Sequence, residues 1–164
     1  MRKFAVVLVV VMFALNGLAM AGEISASGSF LRYFGEEMDG RANKLTLGYE
    51  FGISSKMNME FLYSHATDEV AISHLVRVRV KEEFVIAESF SWNWGVSFGV
   101  LENSFKEGYY GTGPSAKLLG LLVGAETEIF SNIGIFLEVE GGYTWQELYK
   151  GGYYFPAIGI SVSL

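Results

Sequence analysis

The sequence predicts an all-β fold: eight antiparallel strands in up-and-down order, closed into a transmembrane barrel behind a cleavable signal peptide. Three observations predict it. The stretch Ile133–Trp145, IGIFLEVEGGYTW, alternates apolar and small or polar residues over about 13 positions, the two-residue period of a strand with unlike faces. Similar segments recur along the chain, each nearer the roughly 9–11 residues of a membrane-crossing strand than the 5–6 of a soluble one. Bulky apolar side chains hold one face, and glycine with a few charges holds the other.

The chain of 164 residues is expected to form one domain after processing. Residues 1–21 begin Met1-Arg2-Lys3, run apolar from Phe4 to Leu15 and end Leu18-Ala19-Met20-Ala21. A basic start, a short apolar core and a small-x-small end describe a signal peptide, and the core is too short for a spanning helix. Residues 22–164 then form the barrel. Without Arg2 and Lys3 the charge moves from −6 to −8, which argues against nucleic acid as a partner. The chain has no cysteine, so disulfide and thiolate chemistry are excluded.

The strands follow in order. The first is expected at Glu23–Phe34, with Ile24, Ala26 and Phe30 on one face and Leu31 and Tyr33 on the other, which a bulge near Ser29 would reconcile. Gly35–Ala42 is a polar loop. The second, Asn43–Ile53, sets Leu45, Leu47, Tyr49, Phe51 and Ile53 against Lys44, Thr46, Gly48, Glu50 and Gly52. Ser54-Ser55-Lys56 turns into the third, Met57–Ala66, with Tyr63 and His65 opposite Glu60 and Ser64. The fourth, Val70–Lys81, aligns His74, Val76, Val78 and Val80 against Leu75, Arg77, Arg79 and Lys81. Glu82–Phe90 either extends it or forms a loop.

The fifth strand, Ser91–Leu101, places Trp92, Trp94, Val96 and Phe98 opposite Asn93, Gly95, Ser97 and Gly99. Glu102–Ser115 is the longest loop. The sixth, Ala116–Phe130, turns at Ser131-Asn132 into the seventh, Ile133–Trp145. After a loop at Leu148–Gly152, the eighth is expected at Tyr153–Leu164. An even count puts both termini on one side, with short turns there and longer loops opposite.

The glycine-bearing face is assigned to the inside. A tight eight-stranded interior wants small residues beside a few large ones, and Gly48, Gly95, Gly99, Gly120, Gly124, Gly134 and Gly159 supply them. The bulky face meets lipid, with an aromatic girdle of Tyr49, Phe51, Tyr63, Trp92, Trp94, Tyr143, Trp145 and Tyr154 at strand ends. A soluble sandwich or lipocalin-like barrel would have the opposite sense. The inward charges are then Lys44, Glu50, Glu60, Arg77, Arg79, Lys81, Glu126, Glu128, Glu138 and Glu140. Buried charges need partners, so they are expected to form a salt-bridged plug. With six carboxylates to four cations, any water path through it would prefer cations.

The segment GAETEIFSNIGIFLEVEGGYTW (Gly124–Trp145), the signal peptide and the alternating C-terminal strand make the chain resemble the small eight-stranded outer-membrane barrels, of the outer membrane protein A and opacity-protein type. Leu164 stands where that group usually ends on an aromatic residue. The resemblance implies residence in the bacterial outer membrane, with membrane lipid and the barrel-assembly machinery as partners. It also implies a fold that hosts anchors, adhesins, narrow pores and a few lipid-modifying enzymes.

The leading expectation for function is a structural or interaction barrel without catalysis. A small cation-preferring channel or hydrophobic-solute porin is the alternative, and a lipid-A acyl-chain enzyme the third. For the enzyme, His65 and His74 are the only histidines and are expected to face lipid near Asp68, each preceded by a serine, Ser64 and Ser73; the His-x-Ser arrangement of lipid-A deacylases is absent. No cofactor and no metal site is expected. The acids Glu36, Glu37, Asp39, Asp68 and Glu69 are candidate contacts for divalent cations, and Phe105–Gly113, FKEGYYGTG, is a candidate binding tip.

Overall fold

A computed structural model describes residues 22–34, 40–106, 115–145 and 150–164. The signal-peptide expectation for residues 1–21 lies outside them. Eight strands make up the fold: β1 Gly22–Phe34, β2 Gly40–Gly52, β3 Met57–Thr67, β4 Ala71–Ala87, β5 Phe90–Phe105, β6 Ala116–Phe130, β7 Ile133–Trp145 and β8 Lys150–Ser163. Each pairs antiparallel with its sequence neighbour, and β1 pairs with β8 to close the barrel.

The expected short turns, after β2, β4 and β6, share one end with Gly22 and Leu164. There each turn is tied onward to the next hairpin. Glu83 N donates to Lys56 O at 2.9 Å, Glu128 N to Ser89 O at 2.8 Å, Ser163 N to Asn132 O at 3.0 Å, and Leu164 N to Gly22 O at 2.9 Å. At the other end the 68–70 turn is held by Asp68, whose Oδ1 accepts from Val70 N and Ala71 N at 2.7 Å each.

Facing follows the alternation. On β2, Leu45 is 60 % exposed and its neighbour Thr46 only 3 %. Leu121 (64 %), Leu137 (58 %) and Ile158 (60 %) repeat the outward belt on β6, β7 and β8. Such a continuous apolar wall is unstable in water and stable in hydrocarbon. All eight expected girdle residues lie on this outer face. Phe84 stacks on Trp92 at 4.7 Å near the turn end, Tyr143 on Trp145 at 6.4 Å near the loop end. The Trp94 indole donates to Glu82 at 3.1 Å.

Two sequence expectations are corrected. β1 carries no bulge at Ser29: its register against β2 is unbroken from Gly22 to Tyr33. Leu31 is fully buried inside, while Phe30 turns outward to meet Tyr154. One phase serves the whole strand because the interior near the loop end is apolar. Several strands also run past their expected ends. β2 takes in Gly40–Ala42, β5 takes in Glu102–Phe105, and β8 begins at Lys150. FVIA extends β4, with a register shift between Val85 and Ala87. A backbone ladder continues beyond the bilayer without apolar side chains to signal it.

Leu121 projects from the middle of β6 into the lipid-facing belt. Leu121→Arg should lower stability by about 2–4 kcal/mol, read as a shifted urea midpoint for refolding into vesicles. An unchanged midpoint would mean that this face does not meet hydrocarbon.

Candidate functional site: a closed charge network

The interior has three levels. The middle one is built by strand spacing alone. Arg77, Arg79 and Lys81 sit at every second position of β4, and so point inward one above another. Glu138 and Glu140 do the same on β7, across the lumen, and Glu60 and Glu50 come from β3 and β2. Arg79 touches three carboxylates: Glu140 at 2.6 and 3.0 Å, Glu138 at 2.8 Å and Glu60 at 3.2 Å. Arg77 Nη1 reaches the same Glu140 oxygen at 2.5 Å. Lys81 pairs with Glu50, with Glu60 at 3.7 Å and Glu138 at 3.8 Å.

Neutral side chains add to it. Tyr153 donates to the second Glu140 oxygen at 3.1 Å, Ser25 to Glu60 at 3.4 Å, and Ser64 accepts from Arg77 at 3.3 Å. Glu140 is 0 % exposed, so its charge rests entirely on these partners. The Lys44 ammonium lies 3.5 Å from the centre of the Phe155 ring, and the Arg77 guanidinium 4.7 Å from it.

Glycines make room for these long side chains. A Cβ on Gly99 would come within 2.6 Å of Arg77 Cγ, one on Gly124 within 2.8 Å of Glu138 Cγ, and one on Gly48 within 2.9 Å of Glu60 Oε1. Each lies on a strand beside the one that carries its large neighbour.

Toward the loop end the lumen is filled by Leu31, Leu75, Leu101, Leu118, Tyr153 and Phe155, every one at most 2 % exposed. Toward the turn end it opens into a cavity of about 410 Å³, whose lining includes Glu23, Glu50, Lys81, Asn93, Glu126 and Glu128.

Of the ten charges assigned to the interior, eight meet in the middle level: Lys44, Glu50, Glu60, Arg77, Arg79, Lys81, Glu138 and Glu140. Four cations balance four acids there. Glu126 and Glu128 stand apart in the cavity, where Glu126 accepts from Ser161. The acid excess therefore belongs to the cavity, not to the plug. Sequence reasoning passed over Glu23, Tyr153 and Phe155. Their signal was the alternation itself: Tyr153 and Phe155 share a phase with Ala157, Gly159 and Ser161, and Glu23 with Ser25.

The remaining candidates fall elsewhere. His65 and His74 are on the outer face near the loop end, their rings 5.2 Å apart, and the Tyr63 hydroxyl lies 2.7 Å from His74 Nδ1. Ser64 and Ser73 face the lumen and cannot act with them. Among the described residues no group of His, Asp and Glu is disposed to hold a metal ion. The Asp68 side chain is engaged by its own turn, Glu69 is exposed, and Glu36, Glu37 and Asp39 lie outside the described residues. Phe105 ends β5; residues 107–113 of the expected binding tip also lie outside.

No protein-family model matches the sequence, and a search of curated proteins finds no relative. Solved structures do resemble it. Neisserial surface protein A aligns with a TM-score of 0.75 at 10% identity, over 86% of this chain and 96% of its own. The fold is that of a small outer-membrane barrel. The N-terminal β-barrel domain of OprF from Pseudomonas aeruginosa gives 0.62 at 13% identity, over 87% and 97%. The outer membrane enzyme PagL gives 0.50 at 14% identity, over 85% and 98%. The shared outer-membrane fold and the lipid-facing belt agree on where this chain sits; at such identities nothing about activity transfers.

Glu140→Ala should leave Arg77 without its carboxylate and Arg79 without one of three, at a cost of about 3–5 kcal/mol. Gly99→Val should overpack the wall beside Arg77, at about 1–3 kcal/mol. Urea refolding midpoints measure both; a wild-type midpoint in Glu140→Ala would show that the network does not hold the barrel.

Proposed function

We propose that this chain is a structural or interaction barrel of the outer membrane, with a closed lumen and no catalytic step. One observation carries the reading. The neutral network and the apolar layer above it fill the interior, with Glu140 and Leu31 both at 0 % exposure. A conducting pore needs a continuous hydrated path. Here the path from the turn end stops at Lys81 and Glu50. Interaction then falls to the loop end, since loops on a rigid scaffold carry binding. The partners in this reading are membrane lipid along the apolar belt and the barrel-assembly machinery at β8.

A second reading, an acyl-chain enzyme, has one observation in its favour. His65, His74 and Tyr63 cluster on the outer face, with Glu102 opposite His74 in the β4–β5 register. PagL is an enzyme on this fold. The serines next to the histidines point away from them, which favours the non-catalytic reading.

Planar-bilayer recording should give no steady current for the wild-type protein. Arg79→Ala with Glu140→Ala should admit a current by removing the centre of the plug. A steady cation-selective current in the wild type would replace this reading with the channel. Expression should leave the lipid-A mass unchanged; a mass shift abolished by His74→Ala would replace it with the enzyme.

A further inference from the structure

The outer face carries a short row of residues at the level where its apolar belt ends. On β6 the outward residues from Leu119 to Ile129, at about 3.3 Å per residue and a tilt of about 40°, cover about 25 Å, the height of the apolar band in barrels of this kind. Lys117 is the next outward residue toward the loops. In the strand register it stands opposite Trp145 of β7, and Trp145 stands opposite Lys150 of β8. The row is therefore Lys117, Trp145, Lys150, at the depth of the lipid headgroups. Both lysines are exposed. Among the described residues no carboxylate lies within ion-pair distance of either.

The two ends of the outer face differ in charge. Among the described strand residues the outward cations Arg32, Lys117 and Lys150 all lie at the loop end. The acid at that level, Glu102, stands opposite His74 in the β4–β5 register. At the turn end the charged outward strand residue is Glu82, whose carboxylate accepts from the Trp94 indole. The loop side is the external side in barrels of this fold, so the cations meet the outer leaflet. Basic side chains at a bilayer surface attract anionic headgroups.

Spacing narrows the anion. Two strand spacings separate Lys117 from Lys150, about 10 Å. Flexible four-carbon stems let both ammonium groups reach one anion lying over Trp145. Tyr143, stacked on Trp145 at 6.4 Å and 24°, steadies that ring. Ammonium and indole groups only donate hydrogen bonds. A phosphomonoester, with a charge of about −1.5 to −2 and three strong acceptor oxygens, answers such a set; a phosphodiester has less charge and fewer free oxygens.

We propose that the outer face of β6–β8 at the loop end binds an outer-leaflet lipid through a phosphomonoester headgroup, held between Lys117 and Lys150 over Trp145. The proposal deepens the lipid partnership proposed above by naming the headgroup and its residues. It does not depend on a shut lumen, so a current in bilayers would leave it standing, and its own failure would leave the closed barrel standing.

Native mass spectrometry of the full chain, refolded in uncharged detergent at low salt and titrated with lipid A, tests it. Lipid A carrying its phosphates should bind at least about tenfold tighter, or about 1.4 kcal/mol, than lipid A stripped of them, and tighter than phosphatidylglycerol. The double variant Lys117→Gln with Lys150→Gln should lose that advantage, and Lys117→Arg with Lys150→Arg should keep it. Lys56→Gln, in the turn at the opposite end, should bind as the wild type does. A heat-modifiable gel shift should report a folded barrel for each, since none of these side chains enters the lumen. Unchanged affinity in the glutamine double variant, equal binding of the stripped lipid or of phosphatidylglycerol, or displacement by equimolar inorganic phosphate would overturn the proposal.

Discussion

The pairing of β1 with β8 is the constraint on which the rest depends. Inside hydrocarbon an unpaired N–H or C=O costs several kcal/mol, and a sheet edge exposes a row of them. Glu23–Ser29 laid against Ala157–Ser163 removes that edge. Once eight strands close, the interior is fixed at a width that side chains must fill. The glycines beside Arg77, Glu138 and Glu60 are the consequence, for a closed wall cannot move outward to accommodate a long side chain.

How the interior is filled differs by level, and the difference has a physical basis. Near the loop end Leu31, Leu75, Leu118 and Phe155 pack as in an ordinary core and need no partners. In the middle every ion has an opposite charge or an aromatic face beside it. Buried ion pairs often add little net stability compared with apolar packing of equal volume. What they add is selectivity of arrangement: a one-residue slip of β4 would turn Arg77 and Arg79 into lipid. The apolar layer supplies cohesion, and the charges specify which register is cohesive.

Much of this was legible from the chain itself. Strands β6 and β7 lie where their alternation puts them, because outward-facing Leu119, Leu121 and Val123 on β6, and Leu137 and Val139 on β7, recur at every second position. Inward charges such as Arg79 and Glu140 were readable from the same period. Their pairing was not, since β4 and β7 are not sheet neighbours and meet only through the lumen. The apolar layer was missed for a different reason. Leu31 and Phe155 look like lipid-facing residues out of phase unless the interior is known to turn apolar. Strand ends were read short at Gly40–Ala42 and Glu102–Phe105, where polar side chains follow a ladder that extends beyond the bilayer.

The contacts of Arg79 with Glu140 span 61 residues of sequence, and that of Arg77 with Glu140 spans 63. No local hairpin can form them. They arise only after the sheet has curled far enough to bring opposite walls face to face. Interactions absent from the transition state for folding act on the rate of unfolding instead. The network is therefore a latch: it does little to help the barrel form, and it slows the escape of a barrel already formed. For a protein renewed only by passage through the whole envelope, persistence of that kind counts for more than equilibrium stability.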